Sequence, residues 1–271
     1  MRAMAEIIDN KQIAEDIFDM TVLSAEIAEI ALPGQFAHIR VRDSIDPLLR
    51  RPISICAVDR LQGTVRFVFR RHGAGTRLLA SAQPGQTLDM IAPLGGGTFP
   101  TSGDFRAVYV IGGGIGVPPL LFAAKAWHDK GIPVHAVLGF AGRGQVILEE
   151  EYKQYANVSI YTVDGSYGER GVVTDYFADE EYKFTNHTSH DSSALPFLYL
   201  SCGPKPMLNA VKQHPVLQKG IGYLSLEEHM ACGGGACMGC VTKIADGDST
   251  DWKYAKICDC GPVFPVEKVV F

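Results

Sequence analysis

Four cysteines near the C-terminus carry the clearest chemistry in this sequence: Cys232, Cys237, Cys240 and Cys258. The first three form a C-x4-C-x2-C run, and 17 residues separate the third from the fourth. This spacing is typical of the four thiolates that ligate a [2Fe–2S] cluster. A structural zinc site is the main alternative, but zinc knuckles usually combine two C-x2-C pairs and only one such pair is present here. The spacing therefore favours the iron–sulfur cluster.

Glycine occupies much of the sequence between these cysteines, at positions 233, 234, 235 and 239. A loop that wraps a cluster needs backbone amides close to sulfur and residues with positive φ. Glycine provides both because it has no Cβ to restrict its backbone. The composition of the loop therefore agrees with the spacing of its cysteines.

Two earlier stretches are suited to binding phosphate. The first is Arg51-Pro52-Ile53-Ser54, where the guanidinium of Arg51 can meet a phosphate and the hydroxyl of Ser54 a flavin ring nitrogen. The second covers residues 73–79, a glycine-rich turn that opens a helix and includes Gly75 and Thr76. Free amides and the helix dipole favour a pyrophosphate there. Arg-Pro at a strand start also occurs in proteins that bind nothing, and the two stretches together give a cofactor site equal weight with that alternative.

A third glycine-rich turn lies between a predicted strand and a predicted helix and contains Gly112, Gly113, Gly114 and Gly116. In this context a glycine turn lets the backbone of a dinucleotide approach closely, although the pattern is not a strict G-x-G-x-x-G and a plain tight turn is the alternative. Cys202 and Gly203 end a later strand, at the edge of a parallel sheet where ligands bind. Cys202 can therefore face a nicotinamide, with burial for packing as the alternative, and Cys56 is interpreted as a packing residue.

The elements that must position these groups fall into three regions. Residues 1–102 contain short strands broken by Pro and Gly, at 35–41, 51–57 and 64–71, which predict a small antiparallel barrel. Residues 103–222 alternate strands with helices, which predicts a parallel sheet covered by helices. Its predicted elements are strands at 108–111, 134–140, 158–163 and 197–201, and helices at 118–130, 148–155 and 206–213.

The last region, residues 223–271, is a predicted cluster-binding module. The polar stretch 180–194 is interpreted as a surface loop or disordered insertion. Its two histidines, His187 and His190, are three positions apart, and metal binding by them is the less favoured interpretation.

Composition excludes several classes of protein. With 271 residues, 46% of them hydrophobic and 20% charged, the chain is long enough for about two domains with proper cores. A net charge of −5 and the lack of a Lys/Arg block argue against nucleic-acid binding. The apolar stretches are strand-sized, which argues against a membrane protein, and no secretory signal is evident. Five of the seven cysteines lie within 29 positions, unlike a disulfide scaffold, so we expect a reduced, cytoplasmic location.

Taken in order, these motifs resemble the ferredoxin-reductase-like flavoproteins, and most closely the electron-transfer subunits of class 1B dihydroorotate dehydrogenases. The resemblance spans nearly the whole chain. The stretches that carry it are 51–54, 75–76, 93–95, 112–116, 164–168, 202–207, 227–240, Cys258 and 261–264.

The resemblance implies a β-barrel domain that holds FAD, an α/β parallel-sheet domain that binds NAD(H), and a C-terminal [2Fe–2S] module. It implies FAD contacts from three stretches: Arg51 to Ser54; Val68, Phe69 and Arg70; and Gly75 with Thr76. One departure concerns the fourth ligand. The family motif Cys-x-Asp-Gly-Pro appears here as Cys258-Asp259-Cys260-Gly261-Pro262, so Cys260 is a possible substitute for Cys258, although alignment to the Gly-Pro pair favours Cys258.

The function implied is electron transfer between NAD+ and an FMN-containing dihydroorotate dehydrogenase catalytic subunit, through FAD and the cluster, in pyrimidine biosynthesis. The resemblance further implies a heterotetramer with two of each chain and no catalytic acid or base in this one. An apolar patch of Met230, Met238 and Val263 is the predicted interface, with internal packing as the alternative.

Three questions stay open from the sequence. A subunit of an NAD(P)H-dependent ferredoxin or sulfide oxidoreductase is the nearest alternative function, and a zinc-binding, redox-sensing protein is the alternative from another class. The choice between NADH and NADPH is unresolved, because Arg143 can reach a ribose phosphate or be solvated and no acidic partner for the ribose is obvious. The potential of the cluster is likewise undetermined.

Overall fold

The computed structural model describes residues 1–43, 45–178, 195–247 and 251–271. These residues form two compact units. The first unit contains residues 1–99, 226–264 and 270, and the second contains residues 100–225, 265–269 and 271. The cysteine-rich segment thus shares a compact unit with the N-terminal strands, and its standing as a separate domain remains a prediction. The predicted insertion at 180–194 lies outside the described residues.

The N-terminal part of the first unit is the predicted antiparallel barrel. Its elements are β1 (Arg2–Ala14), β2 (Ile17–Leu23), α1 (Ala25–Ile30), β3 (Phe36–Arg40), β4 (Arg51–Asp59), β5 (Thr64–Arg70), α2 (Ala74–Ser81) and β6 (Thr87–Leu94). The strands close in the order β1-β2-β5-β4-β3-β6, so none is left as an open edge. Large apolar side chains from different strands, including Met20, Ile55 and Phe67, are fully buried.

A charged cluster fixes the segment just before β4. The carboxylate of Asp89 on β6 accepts hydrogen bonds from Arg50 Nη2 at 2.8 Å and from Arg2 Nη2 at 2.9 Å. The hydrogen bond from Arg50 is the largest influence on Asp89 and, with that from Arg2, lowers the pKa of this carboxyl to about 2. Asp89 therefore stays ionised and ties β1 and β6 to the residue that precedes Arg51.

The second unit is built on a parallel sheet, also as predicted. Its elements are β7 (Ala107–Gly113), α3 (Pro118–His128), β8 (Val134–Phe140), α4 (Glu149–Tyr152), β9 (Asn157–Thr162), β10 (Glu169–Arg170), β11 (Phe197–Cys202), α5 (Lys205–Gln213) and β12 (Ile221–Ser225), and residues 175–178 are also helical. The strand order is β10-β9-β8-β7-β11-β12, with every pair parallel. Central strands are buried along their length, as expected of a sheet covered on both faces.

The remaining strands belong to the cysteine-rich segment and the C-terminus: β13 (Val241–Ala245), β14 (Trp252–Lys256), β15 (Val263–Pro265) and β16 (Val269–Val270). The antiparallel pair β13–β14 explains the long gap before the last predicted ligand. Cys240 immediately precedes β13, and a single residue, Ile257, lies between the end of β14 and Cys258. The amide of Ile257 donates to the carbonyl of Cys240 at 2.8 Å, so the two strands return the chain to its starting point.

Most predicted elements are present within a few residues of their expected bounds. The helix predicted at 148–155 is the exception, because only Glu149–Tyr152 is helical. It begins after Leu148, whose φ of 60° lies in the left-handed region, and residues 153–155 form a turn and do not continue the helix. Among the described residues, no helix is both long and apolar enough to span a bilayer.

Candidate cluster, flavin and nicotinamide sites

The first unit brings the four predicted cluster ligands together around a set of backbone amides. The amide of Cys237 donates to Cys232 Sγ at 3.3 Å, that of Gly235 to Cys258 Sγ at 3.2 Å, and that of Cys258 to Cys240 Sγ at 3.4 Å. The side chains of Cys232 and Cys237 also contact each other, as do those of Cys240 and Cys258, so the four cysteines form two pairs. A [2Fe–2S] cluster takes two thiolates on each iron, so this arrangement fits it.

The two pairs differ in their electrostatic surroundings. Backbone amides, those of Cys237 and Gly234 foremost, lower the pKa of Cys232 to about 6, which favours its thiolate. Burial is the largest influence on Cys258 and raises its pKa to about 11. At Cys232 the loop therefore favours the thiolate, which is the form that binds a metal. At Cys258 it shields the sulfur from water.

Burial also separates the two candidates for the fourth ligand. Cys258 is 3% exposed and lies within the group of amide-bonded sulfurs, whereas Cys260 is exposed. Burial and hydrogen bonding therefore favour Cys258 over Cys260, and the ligand assignment stays a prediction. Across the described ranges, no three His, Cys, Asp or Glu side chains converge as ligands of one metal ion would. Two separate pairs of sulfurs suit two irons better than a single zinc ion.

The end of the cluster loop is bonded directly to the barrel. The amides of Gly96 and Gly97, which follow β6, donate to the carbonyls of Asp259 and Gly261, both at 2.9 Å. A Cβ added at Gly96 would lie 2.4 Å from the Asp259 carbonyl oxygen, so a larger residue would push the two segments apart. This contact fixes the segment that carries Cys258.

The start of the cluster loop rests on a histidine of the barrel. His38 on β3 is 1% exposed, and a Cβ added at Gly233 would lie 2.3 Å from its Nδ1. Gly233 also has a φ of +67°, which disfavours other residues there. Burial is the largest influence on His38 and, with the charge of Arg50, lowers its pKa.

The predicted flavin-binding stretches also meet in the first unit. Arg51 begins β4, and its side chain lies against Gly75 at the start of α2, where an added Cβ would be 2.2 Å from Arg51 Nε. Thr76 Oγ1 accepts hydrogen bonds from the amides of His72 and Gly73, at 2.9 and 3.2 Å, and shapes this turn. The guanidinium and the start of the helix are therefore neighbours, as a shared pyrophosphate requires.

The two strands that carry the other predicted FAD contacts separate at one end. The register between β4 and β5 runs from Asp59 opposite Thr64 to Ile55 opposite Phe67, and Phe36 and Ala37 of β3 then pair with Ser54 and Ile53. Val68 and Phe69 are buried and Arg70 is exposed, beyond the end of that register. The backbone of 68–70 on its β4 side is thus available to a ligand. Pro52 and Ser54 are half-buried on the opposite strand.

In the second unit, the predicted nicotinamide residues lie at the carboxyl edge of the sheet. β7 ends at Gly113, and residues Gly114–Gly116 form a 3-10 turn before α3, which confirms the predicted strand, turn and helix. A Cβ at Gly116 would lie 2.4 Å from the Cys202 carbonyl oxygen, so this turn touches the loop that contains Gly203. The Cys202 side chain is 1% exposed, and its role toward a nicotinamide stays a prediction. Cys56 is fully buried.

Sequence reasoning missed an acidic group at the same edge. Asp164 follows β9 and accepts hydrogen bonds from the amide and hydroxyl of Ser166, at 2.9 and 2.6 Å. The Ser166 hydroxyl accepts in turn from the amide of Arg143 at 2.8 Å. The hydrogen bond from the Ser166 side chain is the largest influence on the pKa of the exposed Asp164 and lowers it. The sequence signal that could have identified Asp164 is its position just after a predicted strand of the parallel sheet, where ligands bind.

Arg143 itself is placed against a ring. Its guanidinium lies 5.5 Å from the centre of the Tyr167 ring, and the Tyr167 hydroxyl donates to Glu149 Oε2 at 2.8 Å. The contact lies at the surface, because Arg143 and Asp164 are both exposed.

Comparisons with known proteins agree with this arrangement. Residues 227–270 match the model of the iron-sulfur cluster binding domain of dihydroorotate dehydrogenase B. The chain is 41% identical to the dihydroorotate dehydrogenase B (NAD(+)) electron transfer subunit of Geobacillus kaustophilus, over 99% of this chain and 98% of that protein. It is 41% identical to the subunit of the same name from Shouchella clausii, over 97% and 96% of the two chains.

Solved structures show the same fold. A chain from the structure of an NADH-dependent reduced ferredoxin-NADP oxidoreductase is 27% identical, with a TM-score of 0.82, and the match covers 99% of this chain and 90% of that one. A ferredoxin NADP+ reductase from Neisseria gonorrhoeae, solved with FAD and NADP, has a TM-score of 0.62 at 14% identity, covering 81% and 92%. The second likeness concerns the fold alone.

The ligand assignment is tested by exchanging one sulfur at a time. Cys258→Ser should lose most of the iron and acid-labile sulfide, because it removes a buried sulfur of the four, whereas Cys260→Ser should keep both. Iron, sulfide and FAD per chain are measured after anaerobic purification, with retained FAD as the control for folding. Loss of the cluster from Cys260→Ser but not from Cys258→Ser would contradict the assignment.

The flavin site is tested at two glycines of one turn. Gly75→Ala should release FAD as Arg51→Ala does, since the new methyl displaces the guanidinium, and charge-assisted hydrogen bonds contribute about 1.5–3 kcal/mol. Gly73→Ala is the matched control, because nothing lies within 4 Å of the added Cβ. The FAD content after gel filtration is the measurement. Full FAD occupancy in both Gly75→Ala and Arg51→Ala would rule out the phosphate role of Arg51.

Proposed function

We propose a function on one premise: the chain belongs to the family of electron transfer subunits of dihydroorotate dehydrogenase B (NAD(+)). It transfers electrons between NAD+ and an FMN-containing catalytic subunit that oxidises dihydroorotate, as a step of pyrimidine biosynthesis. The observation that carries this proposal is the bonding of the cysteine loop to the barrel. The predicted cluster ligands and flavin-binding residues thereby belong to one compact unit.

The bound groups supply the chemistry, because FAD exchanges a hydride with NAD and single electrons with a [2Fe–2S] cluster. The chain supplies position and electrostatics. Cys232, Cys237, Cys240 and Cys258 hold the cluster. Arg51, with the start of α2, binds the pyrophosphate of FAD, and the stretches 52–54 and 68–70 border its ring. No acid or base from this chain is assigned a catalytic role.

The nicotinamide dinucleotide binds at the carboxyl edge of the second unit. The turn from Gly112 to Gly116, together with Gly203, allows close approach of its backbone. Asp164 accepts a hydrogen bond from the adenosine ribose hydroxyl, and its charge repels a 2′-phosphate. The site therefore selects NADH over NADPH, which the sequence left open.

The partner is the catalytic subunit, and we propose two copies of each chain in the complex. Met238 in the cluster loop is 62% exposed and suits an apolar contact with that partner. Val263, predicted to share this patch, is 3% exposed, so that part of the prediction is wrong. Val263 approaches Gly34 of the barrel instead, and it packs inside the first unit. A cytoplasmic location suits a chain whose cysteines must remain thiolates.

A second candidate function follows from the likeness to the NADH-dependent reduced ferredoxin-NADP oxidoreductase chain, at 27% identity over nearly the whole chain. A ferredoxin would then replace the dihydroorotate-oxidising subunit as the partner. The identity of 41% to the dihydroorotate dehydrogenase subunits favours the first function.

The proposed function is tested in the coexpressed complex. Dihydroorotate and NAD+ should give NADH, detected by its absorbance, only when both chains are present. The Cys237→Ser variant should keep FAD but transfer no electrons, because its cluster is lost. A complex that reduces ferredoxin with NADH and leaves dihydroorotate untouched would replace this function by the second candidate.

Coenzyme selection is tested at Asp164. Asp164→Ser should lower the ratio of kcat/KM for NADH to that for NADPH by about tenfold, since a hydrogen bond to a charged group contributes about 1.5–3 kcal/mol. Glu150→Gln, which neutralises a carboxylate that is 82% exposed, is the matched control. An unchanged ratio in Asp164→Ser would contradict the proposed contact with the ribose.

A further inference from the structure

His38 is a buried polar side chain whose ring lies near the backbone of Arg50 and Cys232, yet neither ring nitrogen forms a hydrogen bond of normal geometry to a described residue. Its residue is 1% exposed, and neither Nδ1 nor Nε2 has a hydrogen-bond partner among the described residues. A buried polar group without a partner costs about 1–3 kcal/mol. Packing alone would be served better by an apolar ring. The nitrogens therefore point to an acceptor that is bound to the protein during function.

The position of His38 identifies that acceptor. On the barrel sheet it lies opposite Pro52 of β4 and Ile91 of β6. On its other side lies the cluster loop, with Gly233 so close that an added Cβ would be 2.3 Å from Nδ1. Nδ1 thus faces the residue that directly follows the ligand Cys232. The proposed cluster would add its sulfurs beside Cys232, next to this ring.

We propose that His38 is a positioning residue of the cluster. It donates an imidazole N–H to a cluster sulfur at the Cys232 end. This inference rests on the proposed function, because it requires the cluster. Imidazole carries at least one N–H in either protonation state, so the donor is present at any working pH. Hydrogen bonds to cluster sulfurs are among the factors that set the reduction potential, because they stabilise the more negative, reduced state. His38 thereby raises the potential of the cluster.

The same residue relates the cluster to the flavin strand. His38 pairs with Pro52, which lies between Arg51 and Ser54 in the predicted flavin-binding stretch. Arg50, the residue before Arg51, donates hydrogen bonds to Asp89 that hold its side chain in place. The ring therefore lies between a part of the barrel held by these hydrogen bonds and the first turn of the cluster loop.

The test compares two replacements of His38. His38→Phe keeps a ring but removes the N–H, whereas His38→Asn keeps an N–H near the place of Nδ1. The midpoint potential of the cluster is measured by redox titration with EPR detection, alongside iron, sulfide and FAD content. We expect His38→Phe to make reduction about tenfold less favourable, a fall of about 59 mV for one electron, and His38→Asn to restore most of it. His214→Phe makes the same exchange in the second unit and should leave the potential unchanged.

A full cluster with an unchanged potential in His38→Phe would overturn the proposal, since the ring would then serve packing alone. A wild-type chain without iron would instead defeat the proposed function, so the two failures are distinguishable. If His38→Phe does not assemble a cluster, the wild-type protein labelled with 15N-histidine decides. Pulsed EPR of the reduced cluster should show coupling to a histidine nitrogen that is absent in His38→Asn, and no such coupling would overturn the proposal.

Discussion

The contact that the rest of this structure depends on is a short backbone pairing between the barrel and the cysteine loop. Amides of Gly96 and Gly97 donate to carbonyls of Asp259 and Gly261, at the point where the chain returns after about 160 residues devoted mainly to the second unit and the loop. Electron transfer between two bound groups weakens steeply with their separation. If the loop moved freely relative to the flavin site, electron transfer between cluster and flavin would therefore be slow. This pairing restricts that movement.

Within the loop, the chain handles four negative sulfurs in two different ways. Around Cys232, backbone amides supply partial positive charge, which stabilises the negative thiolate without an additional charged side chain. Around Cys258, the sulfur is buried and its thiol form is favoured until a metal binds. Metal binding must then release that proton, so assembly of the cluster depends on pH.

Local features of the site could be predicted from the sequence, and nonlocal ones could not. The C-x4-C-x2-C spacing and the glycine turn after β7 are local, because neighbouring residues determine them. That Gly233 rests on His38, or that Gly75 rests on Arg51, depends on segments far apart in the chain. The exposure of Asp164 and the burial of Val263 likewise follow from tertiary packing. The resemblance to a family supplied the partner and the function of these modules, which composition and periodicity left open.

Anomalous X-ray scattering at the iron edge, from crystals of the FAD-loaded protein, tests the central claim most directly. The account predicts two iron positions bound by Cys232, Cys237, Cys240 and Cys258. FAD should lie in the same crystals along β4, with its pyrophosphate at Arg51. A single zinc position, irons bound through Cys260, or FAD bound away from β4 would contradict it.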